Sequence, residues 1–392
     1  MTESKIKTFL GLATAAAISM LGVGIVTSVL PGRVISLSGG DASLVGLLAS
    51  SFALPYIFLQ VPFGNLSDKY GFKPFLLFGY FLSGASGIIF YFSGSALPIF
   101  IGRAVQGAGE IPVWATAPAL ISIAYPLHKG KMIGIYTAAI YCMLALGPLL
   151  VPVMPNLFGE RGGFLFFSSL CALAFIIILV TQKNRKPLPG SVKESLEIKK
   201  AFRLLKDLPV RIVLVGIALY GCGQGLMLSI APGWLVSVKQ FGGMDIGIVF
   251  SVLYICIAGA QFLYGPLSDR YGRETFMILG LISSAVAWSL FPYAGKLSST
   301  LLLGLAAGSL GGFFVSSMAF LNEKAPDNLK GTISGAYYLF WGMGYFLGPI
   351  VCGICGTKLG MEKIFVGFGA FLLLTAATIY LIWRKGVSRK YA

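Results

Sequence analysis

The chain has 392 residues, of which 56% are hydrophobic and 11% are charged, and its mean hydropathy is +0.84. A soluble domain cannot bury that much apolar surface, so lipid is the expected solvent for most of the chain. The formal net charge of +16 does not indicate nucleic-acid binding, because basic segments between apolar runs are attracted to anionic lipid headgroups.

Twelve runs are long and apolar enough to cross a bilayer, which takes about 20 residues. Alternating polarity, the mark of a barrel strand, is missing from them. We therefore predict an all-α membrane protein with twelve transmembrane helices, the first of them a retained helix rather than a cleaved signal peptide. The runs lie at about 8–30, 44–63, 74–93, 97–123, 132–155, 163–182, 209–232, 245–264, 275–294, 299–322, 332–355 and 363–383.

The basic residues are distributed unevenly between the two sides of the predicted membrane. With the N-terminus placed in the cytoplasm, 23 of the 30 lysines and arginines fall on the cytoplasmic side, six fall outside, and Arg103 lies within a helix. The positive-inside rule then predicts that both termini are cytoplasmic. The short loops favour the plasma (cytoplasmic) membrane of a prokaryote.

A short charged hairpin, Gly64-Asn-Leu-Ser-Asp68-Lys69-Tyr-Gly71-Phe-Lys73, joins the second and third runs. Its glycines let two helices turn within a few residues. Asp68 lies just before the third helix, where the positive helix end and the basic side chains favour a charged carboxylate. Without further information, a simple N-cap with basic anchors explains the same residues.

The fourth run carries charges on one face. Arg103, Gly107, Glu110 and Trp114 are spaced to share a helix face, and a charged face should line a wet cavity because charges in lipid are costly. A buried carboxyl group beside a cation can titrate near neutral pH, which makes Glu110 with Arg103 a candidate for proton coupling. Binding of a cationic substrate, or permanent neutralisation of Arg103, are the alternatives. Gln106 and Trp114 are candidates for the substrate cavity.

A basic segment, residues 183–208, separates two sets of six runs and divides the chain into an N-terminal bundle (1–182) and a C-terminal bundle (209–392). Leu196, Phe202 and Leu205 stand among lysines in this segment, which predicts an amphipathic helix on the headgroups. A plain basic linker is an equally good interpretation.

The second half of the chain repeats the first at a constant shift of 201 positions. The shift carries Gln60 onto Gln261, Gly134 onto Gly335 and Gly147-Pro148 onto Gly348-Pro349 without a gap. This repeat predicts two pseudo-symmetric six-helix bundles. The second copy of the hairpin supplies Gly265, Asp269, Arg270, Gly272 and Arg273.

The repeat maps Glu110 onto Gly311, so the second bundle has no matching carboxylate. We therefore expect charge to be handled in the first bundle. The second bundle offers neutral candidates for the substrate cavity, each of which is also explained by packing or by an interfacial belt. They are Gln224, Ser316, Ser317, Tyr337, Tyr338 and Trp341.

The first hairpin follows the pattern G-x-L-x-D-[KR]-x-G-[RK]-[KR], with Phe72 replacing one basic residue, and the second keeps Gly265, Leu267, Asp269, Arg270, Gly272 and Arg273 of that pattern. On these motifs the whole chain resembles a major facilitator superfamily transporter. The resemblance implies alternating access around a central cavity, with Asp68 and Asp269 controlling closure of the cytoplasmic side. It also implies that Arg103, Gln106 and Gly107, as an R-x-x-Q-G motif, take part in proton transfer in proton-coupled members.

The fifth helix resembles that of drug:proton antiporters at Leu146-Gly147-Pro148, although Met143, Val151 and Pro152 replace the flanking glycines. The resemblance favours proton-coupled efflux, and a largely apolar, aromatic-bearing cavity with a single carboxylate suits an amphiphilic or weakly cationic solute. The alternatives are import of a small anionic metabolite bound by Arg103, and a non-transporting membrane receptor or lipid-handling protein.

Enzyme motifs are missing from the sequence. It contains no Ser/His/Asp set, no H-E-x-x-H and no phosphate-binding G-x-x-x-x-G-K-[ST], so an enzyme is not expected. The six cysteines are interpreted as packing residues and His128 as a solvated loop residue. No cofactor or metal is expected. The expected partners are a small-molecule substrate, protons and membrane lipids, with no nucleic acid, and the protein is expected to be a monomer.

Overall fold

The computed structural model describes residues 3–38, 46–183 and 207–391, and within these ranges the chain is helical with no strand. Two π turns interrupt long helices, one at Pro112–Thr116 and one at Leu226–Ile230. The α-helices are α1 (Glu3–Leu37), α2 (Gly46–Tyr70), α3 (Phe72–Phe92), α4 (Ala96–Ile111), α5 (Ala117–Ala124), α6 (Lys129–Leu150), α7 (Met154–Phe158), α8 (Gly162–Thr181), α9 (Leu208–Gly225), α10 (Ala231–Lys239), α11 (Gly243–Tyr271), α12 (Arg273–Leu290), α13 (Lys296–Lys324), α14 (Lys330–Leu359) and α15 (Met361–Tyr391).

The described residues contain 10 helices that are long and apolar enough to cross a membrane. Two further segments of similar length are less apolar: α2, which contains Gln60 and two prolines, and the continuous α4–α5 segment, which contains Arg103 and Glu110. Together these make the twelve crossings that the sequence predicts. The all-α membrane class is confirmed.

The two hairpins are tighter than the sequence suggests. In the first, α2 continues through Asp68 to Tyr70, and Gly71 alone separates it from α3. Gly71 has a φ of 90° and Gly272, its counterpart between α11 and α12, has a φ of 97°. Because side chains disfavour this backbone region, glycine allows each long helix to stop and the next to start within one residue.

Contacts divide the chain into two compact units. The first unit contains α1–α5, the part of α6 from Ala139 onward, α7, α8 and Pro326–Leu339 of the C-terminal half. The second contains Tyr125–Ala138 of the N-terminal half, α9–α13 and α14 from Phe340 onward with α15. Each unit therefore includes the first turns of one helix from the opposite half. The predicted bundle limits remain a prediction, and the amphipathic helix proposed in 183–208 lies mainly outside the described residues.

Glycine allows a close helix crossing at related positions of the two units. A Cβ atom on Gly24 of α1 would lie 2.6 Å from the Leu144 carbonyl oxygen and 3.0 Å from Cα of Gly147 in α6. In the second unit, a Cβ atom on Gly225 would lie 2.6 Å from Cγ of Pro349. Gly24 and Gly225 are related by the 201-residue shift, as are Pro148 and Pro349, so the repeat preserves the same backbone crossing.

Candidate functional site

The π turn at Pro112–Thr116 positions the charged end of α4. Proline has no N–H to continue the helical ladder, and the Ala117 N–H donates to the carbonyl oxygen of Pro112, five residues back. A π turn adds a residue to one helical turn, changes the direction in which nearby side chains point, and is frequent at functional sites. Glu110 lies just before this turn and Trp114 lies within it.

Four side chains of this segment form one hydrogen-bonded chain. Arg103 Nη1 donates to Gln106 Oε1 at 2.9 Å, and Gln106 Nε2 donates to Glu110 Oε1 at 2.9 Å. Trp114 Nε1 donates to Glu110 Oε2 at 3.3 Å. Since a guanidinium only donates and a carboxylate only accepts, the Gln106 amide has one orientation that satisfies both neighbours. The carboxylate is therefore linked to the guanidinium through an amide.

The charged groups of this chain are shielded from solvent. Arg103, Gln106 and Glu110 are 9%, 0% and 4% exposed. Arg103 also donates from Nε to the Leu48 carbonyl oxygen at 3.3 Å, and its guanidinium carbon lies 4.6 Å from the centre of the Phe52 ring. Arg103 is thus held by protein groups on several sides, an arrangement that stabilises a buried cation.

Gly107 brings α2 against this part of α4. A Cβ atom on Gly107 would collide with the carbonyl oxygen of Phe52. The absence of a side chain lets the α2 backbone approach, and the approach places the Phe52 ring over the Arg103 guanidinium. The glycine of the R-x-x-Q-G motif therefore has a structural role next to the charged residues.

Aromatic rings pack around Trp114, the residue that donates to the Glu110 carboxylate. The Trp114 ring centre lies 5.8 Å from that of Tyr141 and 6.2 Å from that of Tyr338, and Tyr338 lies 6.4 Å from Tyr56. We call Phe52, Tyr56, Trp114, Tyr141 and Tyr338 the aromatic cluster. Ring faces attract cations, so a carboxylate beside several rings is suited to an organic cation.

The second unit brings two of the predicted cavity residues together. Trp341 Nε1 donates to Gln224 Oε1 at 2.8 Å, and the Trp341 ring stacks on Tyr345 at 5.1 Å. Gln224 lies two residues before the π turn at Leu226–Ile230, just as Glu110 lies two residues before the π turn at Pro112–Thr116. A polar side chain at a π turn is therefore a feature of both units.

Two other predicted cavity residues, Ser316 and Tyr337, are fully buried. Ser316 is 0% exposed and its hydroxyl group donates to the Gly312 carbonyl oxygen of the same helix at 3.1 Å. Tyr337 is 0% exposed and its ring lies 5.4 Å from that of Tyr338, which places it behind the aromatic cluster. Their assignment to the substrate cavity remains a prediction.

Asp68 binds the N-terminus of α14. The Gly331 N–H donates to Asp68 Oδ1 at 2.8 Å, and the Thr332 N–H and hydroxyl group both donate to Oδ2 at 2.8 Å. The first N–H groups of a helix have no partner within it and carry partial positive charge, so a carboxylate is a favoured ligand for them.

The helix end that Asp68 meets differs from the expected one. The sequence placed the carboxylate at the start of α3, but α3 has Gly71 at its N-cap and no side-chain hydrogen bond there. Asp68 instead lies in the last turn of α2, facing a segment more than 260 positions later in the chain. The N-cap interpretation is therefore wrong, and the partner of Asp68 is the start of α14 in the C-terminal half.

Asp269 makes the same arrangement in the second unit. The Gly130 N–H donates to Asp269 Oδ1 at 3.0 Å and the Lys131 N–H donates to Oδ2 at 2.7 Å, both from the first turn of α6. Arg273 pairs with Asp269, and it also donates to Ser268 Oγ at 2.7 Å and to Glu323 Oε1 at 2.9 Å. This copy thus adds an ion-pair network to the helix cap.

The helices that Asp68 and Asp269 connect also touch by their backbones. A Cβ atom on Gly64 would collide with the Gly331 carbonyl oxygen, and one on Gly335 would collide with that of Gln60. We call the contact of Tyr56, Gln60, Gly64 and Asp68 with Gly331, Thr332, Gly335 and Tyr338 the α2–α14 seam. We call the contact of Gln261, Gly265 and Asp269 with Gly130, Lys131 and Gly134 the α6–α11 seam. The 201-residue shift relates the common residues of the two seams.

The remaining hairpin residues lie around the seams. Lys73 Nζ donates to the Leu179 carbonyl oxygen of α8 at 2.8 Å. The exposed Arg270 guanidinium lies 5.1 Å from the centre of the Tyr271 ring, and Lys69 is partly exposed. These basic groups are therefore placed as surface anchors, whereas Arg273 belongs to the seam.

Sequence reasoning missed part of the aromatic cluster. Phe52, Tyr56 and Tyr141 were not predicted, because aromatic residues in apolar runs are usually packing residues. A signal was present in α2, where Phe52, Tyr56, Gln60, Gly64 and Asp68 recur every four residues and so follow one helix face. That stripe connects the charged hairpin to the aromatic cluster.

The family model of the Major Facilitator Superfamily matches residues 12–255 and 213–391. The chain belongs to this superfamily. An uncharacterized MFS-type transporter of Methanocaldococcus jannaschii is 26% identical over 385 residues, which are 93% of this chain and 95% of that protein. The chromaffin granule amine transporter of Rattus norvegicus is 21% identical over 338 residues, 85% of this chain and 64% of that protein.

A solved structure shows the same fold. The human organic anion transporter TETRAN superposes with a TM-score of 0.83 at 16% identity, covering 97% of this chain and 100% of that chain. The protein is thus a multi-pass membrane transporter of small molecules, and it is not an enzyme. The major facilitator fold predicted from the hairpin motifs is confirmed.

Proposed function

We propose that this transporter exports a small amphiphilic or weakly cationic solute in exchange for protons, by alternating access. In this proposal Glu110 holds either a proton or the cationic group of the solute. The aromatic cluster binds the apolar part and the positive charge of the solute. The two hairpins control the cytoplasmic side, on which both chain termini lie.

The observation that carries the proposal is a single buried carboxylate beside aromatic rings. Glu110 is 4% exposed, its oxygens accept from Gln106 and Trp114, and Trp114 is itself part of the aromatic cluster. A carboxylate that is occupied by a proton cannot also bind a cation. Competition for one group couples the two movements, because each arriving species displaces the other.

Arg103 and Gln106 act as supporting residues in this scheme. The amide of Gln106 donates to the carboxylate while accepting from the guanidinium, so it bridges the two charged groups. A direct bidentate pair would leave the carboxylate permanently satisfied. An amide-linked carboxylate keeps its affinity for an exchangeable cation.

Import of an organic anion is the second candidate, and the name of the structural relative TETRAN favours it. It requires Arg103 to bind the substrate charge. The guanidinium already donates to Leu48 and Gln106 and lies over Phe52. The amine transporter among the relatives agrees better with the carboxylate and the rings, and we therefore prefer the cation.

The proposal is tested with purified protein in liposomes and two permanently charged aromatic probes, benzyltrimethylammonium and benzenesulfonate. With an acidic interior, outward proton flow through an antiporter should accumulate benzyltrimethylammonium inside, and reversing the gradient should stop it. Accumulation of benzenesulfonate under an acidic exterior would instead establish the anion importer. No gradient-dependent uptake of the cation contradicts the proposal.

A further inference from the structure

The two seams contain a buried polar group that the hairpin motifs do not explain. Gln60 and Gln261 are each 0% exposed, and neither the amide oxygen nor the amide nitrogen of either residue has a hydrogen-bond partner among the described residues. Two serine hydroxyl groups next to the seams are bonded, Ser67 Oγ to Gly64 O at 2.8 Å and Ser268 Oγ to Gly265 O at 3.0 Å.

Both glutamines lie where the opposing helix is closest. Cβ atoms built on Gly335 and Gly134 would collide with the backbone carbonyl oxygens of Gln60 and Gln261, respectively. On their own helices the glutamines stand four residues before Gly64 and Gly265, which also contact the opposing backbone. Positions four apart share a helix face, so the glutamines belong to the faces that the seams cover.

Closing a seam therefore has opposing effects. The carboxylates of Asp68 and Asp269 gain charge-assisted hydrogen bonds to helix N-termini, which favour the closed seam. A buried amide loses its hydrogen bonds to water and gains none in return, which opposes closure. When the seam separates, water regains access to the amides. A transporter must populate both conformations. Strong hydrogen bonds that favour the closed seam therefore need an interaction that destabilises it.

We propose that Gln60 and Gln261 are the opening residues of the two seams: their unpartnered amides lower the stability of the closed state relative to the open one. The repeat carries Gln60 onto Gln261, so the same destabilisation of the closed state acts in both seams. Opening and closing of the seams is the conformational change of alternating access. It depends neither on the identity of the solute nor on proton coupling.

The test replaces each glutamine with methionine, which has nearly the same length and no amide. Amide hydrogen exchange measured by mass spectrometry on full-length protein in lipid nanodiscs reports seam opening without labels. For Gln60→Met, the peptide containing Gly331 and Thr332 should exchange slower by about tenfold, since one unsatisfied buried amide biases an equilibrium by roughly that factor. For Gln261→Met, the peptide containing Gly130 and Lys131 should respond in the same way.

Matched controls separate opening from general stabilisation. Ser122 and Ser284 also have buried hydroxyl groups without a partner among the described residues, but they lie outside the seams as defined here. Ser122→Ala and Ser284→Ala should leave seam exchange within twofold of the wild type. The double methionine variant should slow exchange in both peptides and reduce solute turnover in liposomes.

Unchanged or faster seam exchange in the methionine variants, with the melting temperature at or above that of the wild type, overturns the proposal. If a methionine variant has a lower melting temperature, Gln60→Leu and Gln261→Leu provide second apolar replacements. A loss of protection in those variants as well would mean that the amides stabilise the closed seams, and the proposal would again be overturned.

Discussion

Replacing Glu110 with glutamine is expected to reduce pH-gradient-driven accumulation of benzyltrimethylammonium to the level of protein-free liposomes, a loss of at least about 30-fold. Glutamine keeps the size of the side chain and can still accept from Trp114 Nε1 or Gln106 Nε2. It neither carries a proton nor attracts a cation. Removal of a buried charged partner from a binding site costs about 2–5 kcal/mol, or roughly 30- to 5,000-fold. Initial uptake rates at several solute concentrations measure the effect.

A matched control is available in the same unit. Glu160 is exposed at the loop before α8, and Glu160→Gln removes one negative charge without touching the buried chain. This variant should transport like the wild type. Gradient-driven uptake that survives in Glu110→Gln at wild-type rate would contradict the role given to Glu110, even if Glu160→Gln behaves as expected.

The second large effect is expected for Asp68→Asn. The carboxylate accepts three hydrogen bonds from Gly331 and Thr332, whereas asparagine offers one oxygen and turns an N–H₂ group toward N–H donors. Hydrogen bonds to a charged group contribute about 1.5–3 kcal/mol each. The closed α2–α14 seam should lose on the order of 3 kcal/mol, and the peptide containing Gly331 should exchange about 100-fold faster.

Further substitutions identify which hydrogen bonds of the carboxylate hold the seam closed. Thr332→Val removes only the hydroxyl donor and keeps both backbone N–H donors, so exchange should rise by less than about tenfold. Asp269→Asn should open the α6–α11 seam in the same sense, since the carboxylate caps α6 and pairs with Arg273. Equal exchange in Asp68→Asn and the wild type would show that the carboxylate does not hold the seam.

Much of the architecture follows from local sequence features. Apolar length predicts the spans, and the spacing of Arg103, Glu110 and Trp114 places them on one helix face. There Gln106 bridges Arg103 and Glu110, and Trp114 donates directly to Glu110. The hairpin motifs predict the fold because their glycines occupy positions that the fold requires. Gly71 and Gly272 have positive φ, a conformation that most side chains disfavour.

The long-range partners could not be predicted from residues alone. Asp68 and Gly331 are distant in sequence, and local reasoning assigned the carboxylate to the nearest helix N-terminus. The π turn at Pro112 was also missed, because proline predicts a bend without specifying an extra residue in the turn. The repeat contained the missing information: the shift that carries Asp68 onto Asp269 also carries Gly130 onto Gly331.

The central claim, that a proton and a cation share Glu110, is tested most directly by proton release in weakly buffered detergent solution. Adding benzyltrimethylammonium to the wild-type protein should release about one proton for each cation bound, and Glu110→Gln should release none. Cation binding to the wild type without proton release, or equal release from the variant, would contradict the claim.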